Sequence, residues 1–185
     1  SLLAEHLGAL RDADGRAVQL LFAPRKPERF DEAAASLGAP VRRTAHPDGS
    51  ARSRDETRLF LLDTLGELGK AYALADVVVV GRTFVHLGGS DMIEPAALGK
   101  PTLVGPDVSN FAETTRRLIE GEGLIRVDDA AALAREAQRL LQNPEAARRL
   151  ADNARRVIRA NQGATERHAE LIERAMGGGL LISDF

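Results

Sequence analysis

The chain of 185 residues contains no cysteine, and that absence removes disulfides, thiolate nucleophiles and zinc–thiolate sites together. Its histidines, His6, His46, His86 and His168, show no metal-ligand spacing, so no metal site is expected. No apolar run approaches the length of a membrane-spanning helix, and no secretory leader opens the chain. No internal repeat is evident. Neither sign of charge dominates, with 25 Lys plus Arg against 27 Asp plus Glu, which leaves no dominant basic surface for nucleic acid. The expectation that remains is a soluble, cytoplasmic α/β domain, or a large half of a two-domain enzyme.

What is present alternates between strand and helix patterns. Leu2, Leu3, Leu7 and Leu10 fit an amphipathic helix. Ala17 to Ala23 reads as a buried strand ending at Pro24-Arg25, and Pro27 to Gly38 has start and stop chemistry for a short helix. Val41 to Thr44 reads as a short strand, His46 to Thr57 as a polar loop, and Arg58 to Asp63 as strand again. Thr64-Leu-Gly-Glu67 has the form of a capping box opening a helix with Leu65, Leu68, Ala71, Tyr72 and Ala75 on one face. Later, Asn110-Phe-Ala-Glu113 opens a helix stopped by Gly121 and Gly123, and Leu124 to Val127 is a short strand. Asp128-Asp129 caps a helix over Ala130–Leu141, and Pro144 starts a helical run to about Met176, broken or bent at Asn161-Gln-Gly163. Residues 1–176 thus form one Rossmann-like domain, and 177–185 a glycine-rich linker with a short apolar tail.

The centre of the chain is the stretch from Asp76 to Pro106. Four valines, Val77 to Val80, suit a strand buried on both faces, and Pro101-Thr-Leu-Val-Gly105 suits the next one. Between them, Gly88 and Gly89 precede a helix start, where backbone N–H groups can approach an anion closely. A glycine pair before a helix is also an ordinary tight turn. Glu94 lies one helical turn further on, placed to accept hydrogen bonds from a sugar diol. Two local readings stay open: Asp91 and Glu94 form a capping box, or the helix begins at Pro95 and leaves Glu94 at the entrance. Alternating strands and helices predict an open, mostly parallel sheet covered on both faces. Right-handed crossovers then bring Pro24-Arg25, Asp63-Thr64, Gly81-Arg82 and Gly105-Pro106 to one edge, where ligands of such sheets bind.

The runs Ala23-Pro-Arg-Lys-Pro-Glu-Arg-Phe30, Leu62-Asp-Thr-Leu-Gly-Glu-Leu68, Gly88-Gly-Ser-Asp-Met-Ile-Glu-Pro-Ala-Ala97, Gly105-Pro106 and Asn110-Phe111 occur in the order seen in bacterial 3-deoxy-D-manno-octulosonic acid (Kdo) transferases. The chain resembles the C-terminal, donor-binding half of these enzymes of lipid A assembly from about Leu20 to Leu171. The resemblance implies the GT-B glycosyltransferase fold, a CMP-Kdo donor as substrate, inverting transfer to a lipid A precursor, and no metal or other cofactor. It would set Arg25 facing the donor, Gly88, Gly89, Ser90 and Asp91 around its phosphate, and Glu94 on its ribose. Thr64, Gly66 and Glu67 would flank the base and Asn110 would help close the pocket. Helix caps are the bland roles for Glu67 and Asn110, and surface charge for Glu28 and Arg29.

Three departures accompany the resemblance. Ser90-Asp91 stands where the family usually has His-Asn, which leaves room for a related donor sugar. The family's N-terminal domain, with its catalytic base and any membrane-docking surface, has no counterpart here, so the chain alone is expected to be inactive. The first strand of the domain, central in the usual order 3-2-1-4-5-6, also has no counterpart. The rival readings are a non-catalytic nucleotide-binding module of the same fold and a nucleotide-sugar epimerase, for which His86 is the only evident acid/base group.

Overall fold

The computed structural model describes residues 2–47 and 58–161. Most of the polar loop expected over His46–Thr57, the helical run beyond Asn161 and the apolar tail lie outside them. No helix among the described residues is long and apolar enough to cross a membrane.

The strands are β1 (Leu20–Phe22), β2 (Val41–Arg42), β3 (Leu59–Leu61), β4 (Val78–Val80), β5 (Thr102–Val104) and β6 (Ile125–Arg126). The helices are α1 (Leu2–Leu7), α2 (Phe30–Ser36), α3 (Leu68–Leu74), α4 (Ile93–Ala97), α5 (Ala112–Glu120), α6 (Ala130–Gln142) and α7 (Pro144–Asn161). The alternation expected from the sequence is present, with shorter strands. Ala17, for instance, lies before β1 and forms an isolated antiparallel bridge with Arg11.

All strand pairs are parallel, but they fall into two three-stranded sheets, in the orders β1-β3-β2 and β4-β5-β6. Phe22 is in register with Leu61, and Val80 with Val104. Each sheet therefore presents the carboxyl ends of its strands together. The expected parallel, helix-covered sheet is present as these two halves: among the described residues β1 pairs with β3 alone and β4 with β5 alone. Leu21, in the middle of β1, is accordingly 48% exposed rather than buried.

The second sheet carries most of the core because its side chains alternate between two covered faces. Val80 and Val104 point into one cluster with Met92, Ala96, Leu118, Ala154 and Ile158, contributed by α4, α5, α7 and the turn before α4. Leu103 points the other way, into a cluster with Leu7, Leu133, Ala137 and Leu140 from α1 and α6, against which Val77 and Val79 pack. A shift of one residue in β5 would exchange these faces, so the hydrophobic pattern locks its register. The cap expected at Asp129 is formed: its Oδ1 accepts the Ala132 N–H at 2.6 Å.

Two other caps form differently. The Thr64–Glu67 capping box is replaced by a side-chain pair, with the Thr64 hydroxyl donating to Glu67 Oε2 at 2.6 Å. Gly66, at φ +79°, breaks the helical path, so α3 starts only at Leu68 and Leu65 stays outside it, exposed. Asn110 is not a cap either: it lies in a 3-10 turn, Ser109–Phe111, and Phe111 takes the N-cap position of α5 without a side-chain hydrogen bond.

Candidate functional site

The glycine turn after β4 is built by stitching to the turn after β5. Thr83, fully buried, donates its hydroxyl to Val80 O at 2.5 Å and accepts the Gly105 N–H at 2.6 Å. Asp107 N–H donates to Thr83 O at 2.9 Å, and Asn110 N–H to Gly88 O at 3.1 Å. Gly88 and Gly89 both have positive φ, +79° and +82°. Glycine is also required there by space. A Cβ on Gly88 would run into the Asn110 side-chain amide, and one on Gly89 would come within 2.8 Å of Asp107 O. The Asn110 side chain therefore packs against the glycine turn.

The Gly88 N–H does not point to open solvent. It donates to Asp107 Oδ2 at 2.8 Å, while Asp107 Oδ1 accepts from the Ser109 hydroxyl at 2.9 Å. The Gly88 bond, followed by those from Ser109, holds the Asp107 carboxyl below the usual carboxylate range. Ser90 follows, half-buried, and Asp91 is exposed.

Neither open reading of Glu94 is met as stated. The helix starts at Ile93, one residue ahead of Glu94, and its N-cap Met92 makes no side-chain cap bond. Asp91 Oδ1 accepts the Ile93 N–H at 2.7 Å, which turns Asp91 back on its own backbone. Glu94 is left exposed, with its carboxylate facing α3: a Cβ on Gly69 would lie 3.6 Å from Glu94 Oε1. Burial first, then the charges of Glu94 and Asp91, push the Tyr72 phenol above its ordinary value. Glu94 thus sits across from the start of α3.

That second turn is organised by charge. Glu67 takes the Thr64 hydroxyl and lies 3.3 Å from Arg43 Nε, and the Thr64 bond leads in lowering its carboxyl. Behind it, Asp63 is buried and accepts from Arg42 Nε at 2.6 Å, Thr44 N at 2.9 Å and the Thr44 hydroxyl at 2.6 Å. Arg25 stands exposed on the turn after β1, at the strand end adjacent to Asp63-Thr64.

The structure thus joins Gly88, Gly89 and Asn110 in one cluster and Thr64 and Glu67 in another, while Glu94 faces Gly69 of α3. Sequence reasoning missed Asp107, Thr83 and the pair Arg42–Arg43, and it brought Asp63 to the edge without its ion pair. Asp107 follows the expected strand that ends at Gly105, and that position was the available signal.

No family model matches the chain. It is 39% identical over 184 residues to the 3-deoxy-D-manno-octulosonic acid transferase of Bordetella pertussis, covering 96% of this chain and 42% of the relative. It is 33% identical to that of Haemophilus influenzae over 155 residues, covering 83% of this chain and 36% of the relative. The chain therefore spans about two fifths of the length of these curated relatives. Among solved structures, the C-terminal CMP-Kdo binding domain of WaaA from Acinetobacter baumannii superposes with a TM-score of 0.71 at 31% identity, covering 85% of this chain and 79% of that one. Sucrose-phosphate synthase of Thermosynechococcus elongatus, at 20% identity and a TM-score of 0.58, shares the fold. With parallel sheets clothed by helices, the strand-end turns stitched as described, and a C-terminal domain of this kind matched over most of both chains, the chain belongs to the Kdo transferase family of GT-B glycosyltransferases, in the region of its C-terminal domain.

Proposed function

We propose that this chain binds the CMP-activated donor of a Kdo transferase, Kdo or a related sugar, at the carboxyl ends of its strands. The observation that carries this reading is the match to a CMP-Kdo binding domain over 85% of the chain. The geometry supports it. Glu94 is exposed and uncommitted as a cap, facing the turn that the resemblance places against the base. Asn110 closes on Gly88. In this reading Arg25 and the turn of Gly88, Gly89, Ser90 and Asp91 meet the phosphate, Glu94 accepts from the ribose hydroxyls, and Thr64, Gly66 and Glu67 flank the base.

The work of these residues in transfer is positional and electrostatic. Arg25 offsets charge that collects on the donor phosphate as the glycosidic bond breaks. The acceptor, a lipid A precursor, and the base that deprotonates its hydroxyl belong to the part of the family enzymes outside this chain, together with any contact with the cytoplasmic membrane face. The donor is a substrate, and the reading assigns no resident metal or other cofactor. The relatives at 39% and 33% identity bear the transferase name, which favours this reading over an epimerase.

Calorimetric titration of the chain with CMP, UDP and GDP tests the reading. CMP is expected to bind most tightly. UDP binding as tight as CMP would reject a Kdo-type donor.

A further inference from the structure

The glycine turn already holds an anion, and it is one of the chain's own. Gly88 N–H, a donor that a phosphate at this turn would use, gives its hydrogen bond to Asp107 Oδ2 at 2.8 Å. The carboxylate is held from several sides. Its Oδ1 accepts from the Ser109 hydroxyl at 2.9 Å and from Ser109 N–H at 3.3 Å, and its own N–H is tied to Thr83 O at 2.9 Å. The peptide that carries this N–H is held at its other end too, where Leu87 O accepts from Arg82 Nη2 at 3.1 Å, while Asn110 N–H holds Gly88 O of the next peptide. A phosphate approaching this turn meets a fixed negative charge at hydrogen-bond distance from the amide it would use. Like charges so placed repel, and the repulsion grows with the charge on the ligand.

We propose that Asp107 is a charge gate on the glycine turn: it competes with the donor's phosphate for the Gly88 N–H and disfavours a doubly charged phosphate more than a singly charged one. The proposal rests on the donor reading above and adds a selectivity to it. A sugar nucleotide linked through one phosphate is a phosphodiester with a single negative charge there. The nucleoside monophosphate left after transfer carries close to two at neutral pH, its second pKa being about 6. At the phosphate itself, a fixed carboxylate beside the amide therefore weakens the hold on a monoester more than on a diester, and it leaves the nucleoside part untouched.

The test compares the chain with its Asp107→Asn variant, which removes the charge and keeps an oxygen to accept from Gly88. Three probes are titrated calorimetrically at pH 7.5: cytidine, CMP, and the methyl ester of CMP, a singly charged phosphodiester. The variant is expected to bind CMP about tenfold more tightly, the methyl ester about threefold more tightly, and cytidine within about twofold of the parent. CMP affinity that is unchanged or weaker in the variant, while the parent binds CMP, overturns the gate and leaves the donor reading standing. An equal gain for CMP and its methyl ester overturns the selectivity. Failure of the parent to bind any of the three removes the donor reading, and the gate with it. Should Asp107→Asn not fold, Ser109→Ala replaces it, since it removes only the hydroxyl that holds Oδ1. A gain of about two- to threefold for CMP supports the gate, and no gain overturns it.

Discussion

Replacing Asp63 by asparagine should cost this domain a large share of its stability. The carboxylate is buried, with its side chain fully covered, and accepts three hydrogen bonds that join β2 to the end of β3. Asparagine can still accept from Thr44 N–H, and the Thr44 hydroxyl can rotate to accept from the new amide. The bond from Arg42 has no such remedy, because an amide N–H would then face the guanidinium Nε–H. A hydrogen bond to a charged group contributes about 1.5–3 kcal/mol, and breaking a fully buried ion pair costs about 3–5 kcal/mol. Arg42 is 35% exposed and keeps Asp31 Oδ1 at 2.6 Å, so the lower part of that span applies. A loss of about 2–3 kcal/mol follows, which for a domain of this size is a fall in Tm of about 4–12 °C. The loss is also pH-dependent. Burial raises the Asp63 carboxyl, but the bonds from Thr44 and Arg42 outweigh it, and the folded value lies below the ordinary one. The contribution is therefore complete above the unfolded carboxylate pKa of about 3.9 and is lost as pH falls through the folded value. Scanning calorimetry of both proteins from pH 7 down to pH 3 reads this directly, as a Tm gap that narrows below about pH 4. A gap under about 2 °C at pH 7, or one that stays constant to pH 3, would refute the reasoning.

Two further outcomes are expected. Glu94→Gln should weaken CMP binding by about 1–3 kcal/mol while leaving Tm nearly unchanged, because Glu94 does not cap α4. The chain's single tyrosine reports the same change: the Tyr72 phenol, raised in part by the Glu94 charge, should titrate closer to its ordinary value by ultraviolet absorbance, and an unmoved titration would place Glu94 away from α3. Glu122→Gly should raise stability by about 1 kcal/mol in urea denaturation, because Glu122 sits at φ +54° where α5 ends, a conformation that costs nothing comparable for glycine. An unchanged or lower midpoint would show that the Glu122 side chain contributes more than its strain costs.

The strand–helix alternation was legible because hydrophobic periodicity and glycine or proline punctuation are local. Val78–Val80 and Thr102–Val104 were recognisable as apolar runs, and the Asp129 cap as an acid two residues into a turn. The family was legible for the same reason: Gly88-Gly89, Glu94 and Asn110 keep their spacing along the chain, and the resemblance rests on that spacing. Local spelling failed where a second requirement competed with it. Thr64-Leu-Gly-Glu67 spells a capping box, but the positive φ of Gly66 turns the chain away and leaves only the two side chains in contact. Asp91 and Glu94 spell another, and there the carboxylate bonds two residues ahead instead. What only the tertiary structure decided are the contacts between segments far apart in sequence. The division of the strands into two sheets, the burial of Asp63 against Arg42 and the closing of Asp107 onto Gly88 all depend on which turns meet in space. Neither periodicity nor composition records those meetings, because they join groups far apart in sequence, such as Arg42 with Asp63 and Gly88 with Asp107, that only folding brings within hydrogen-bond distance.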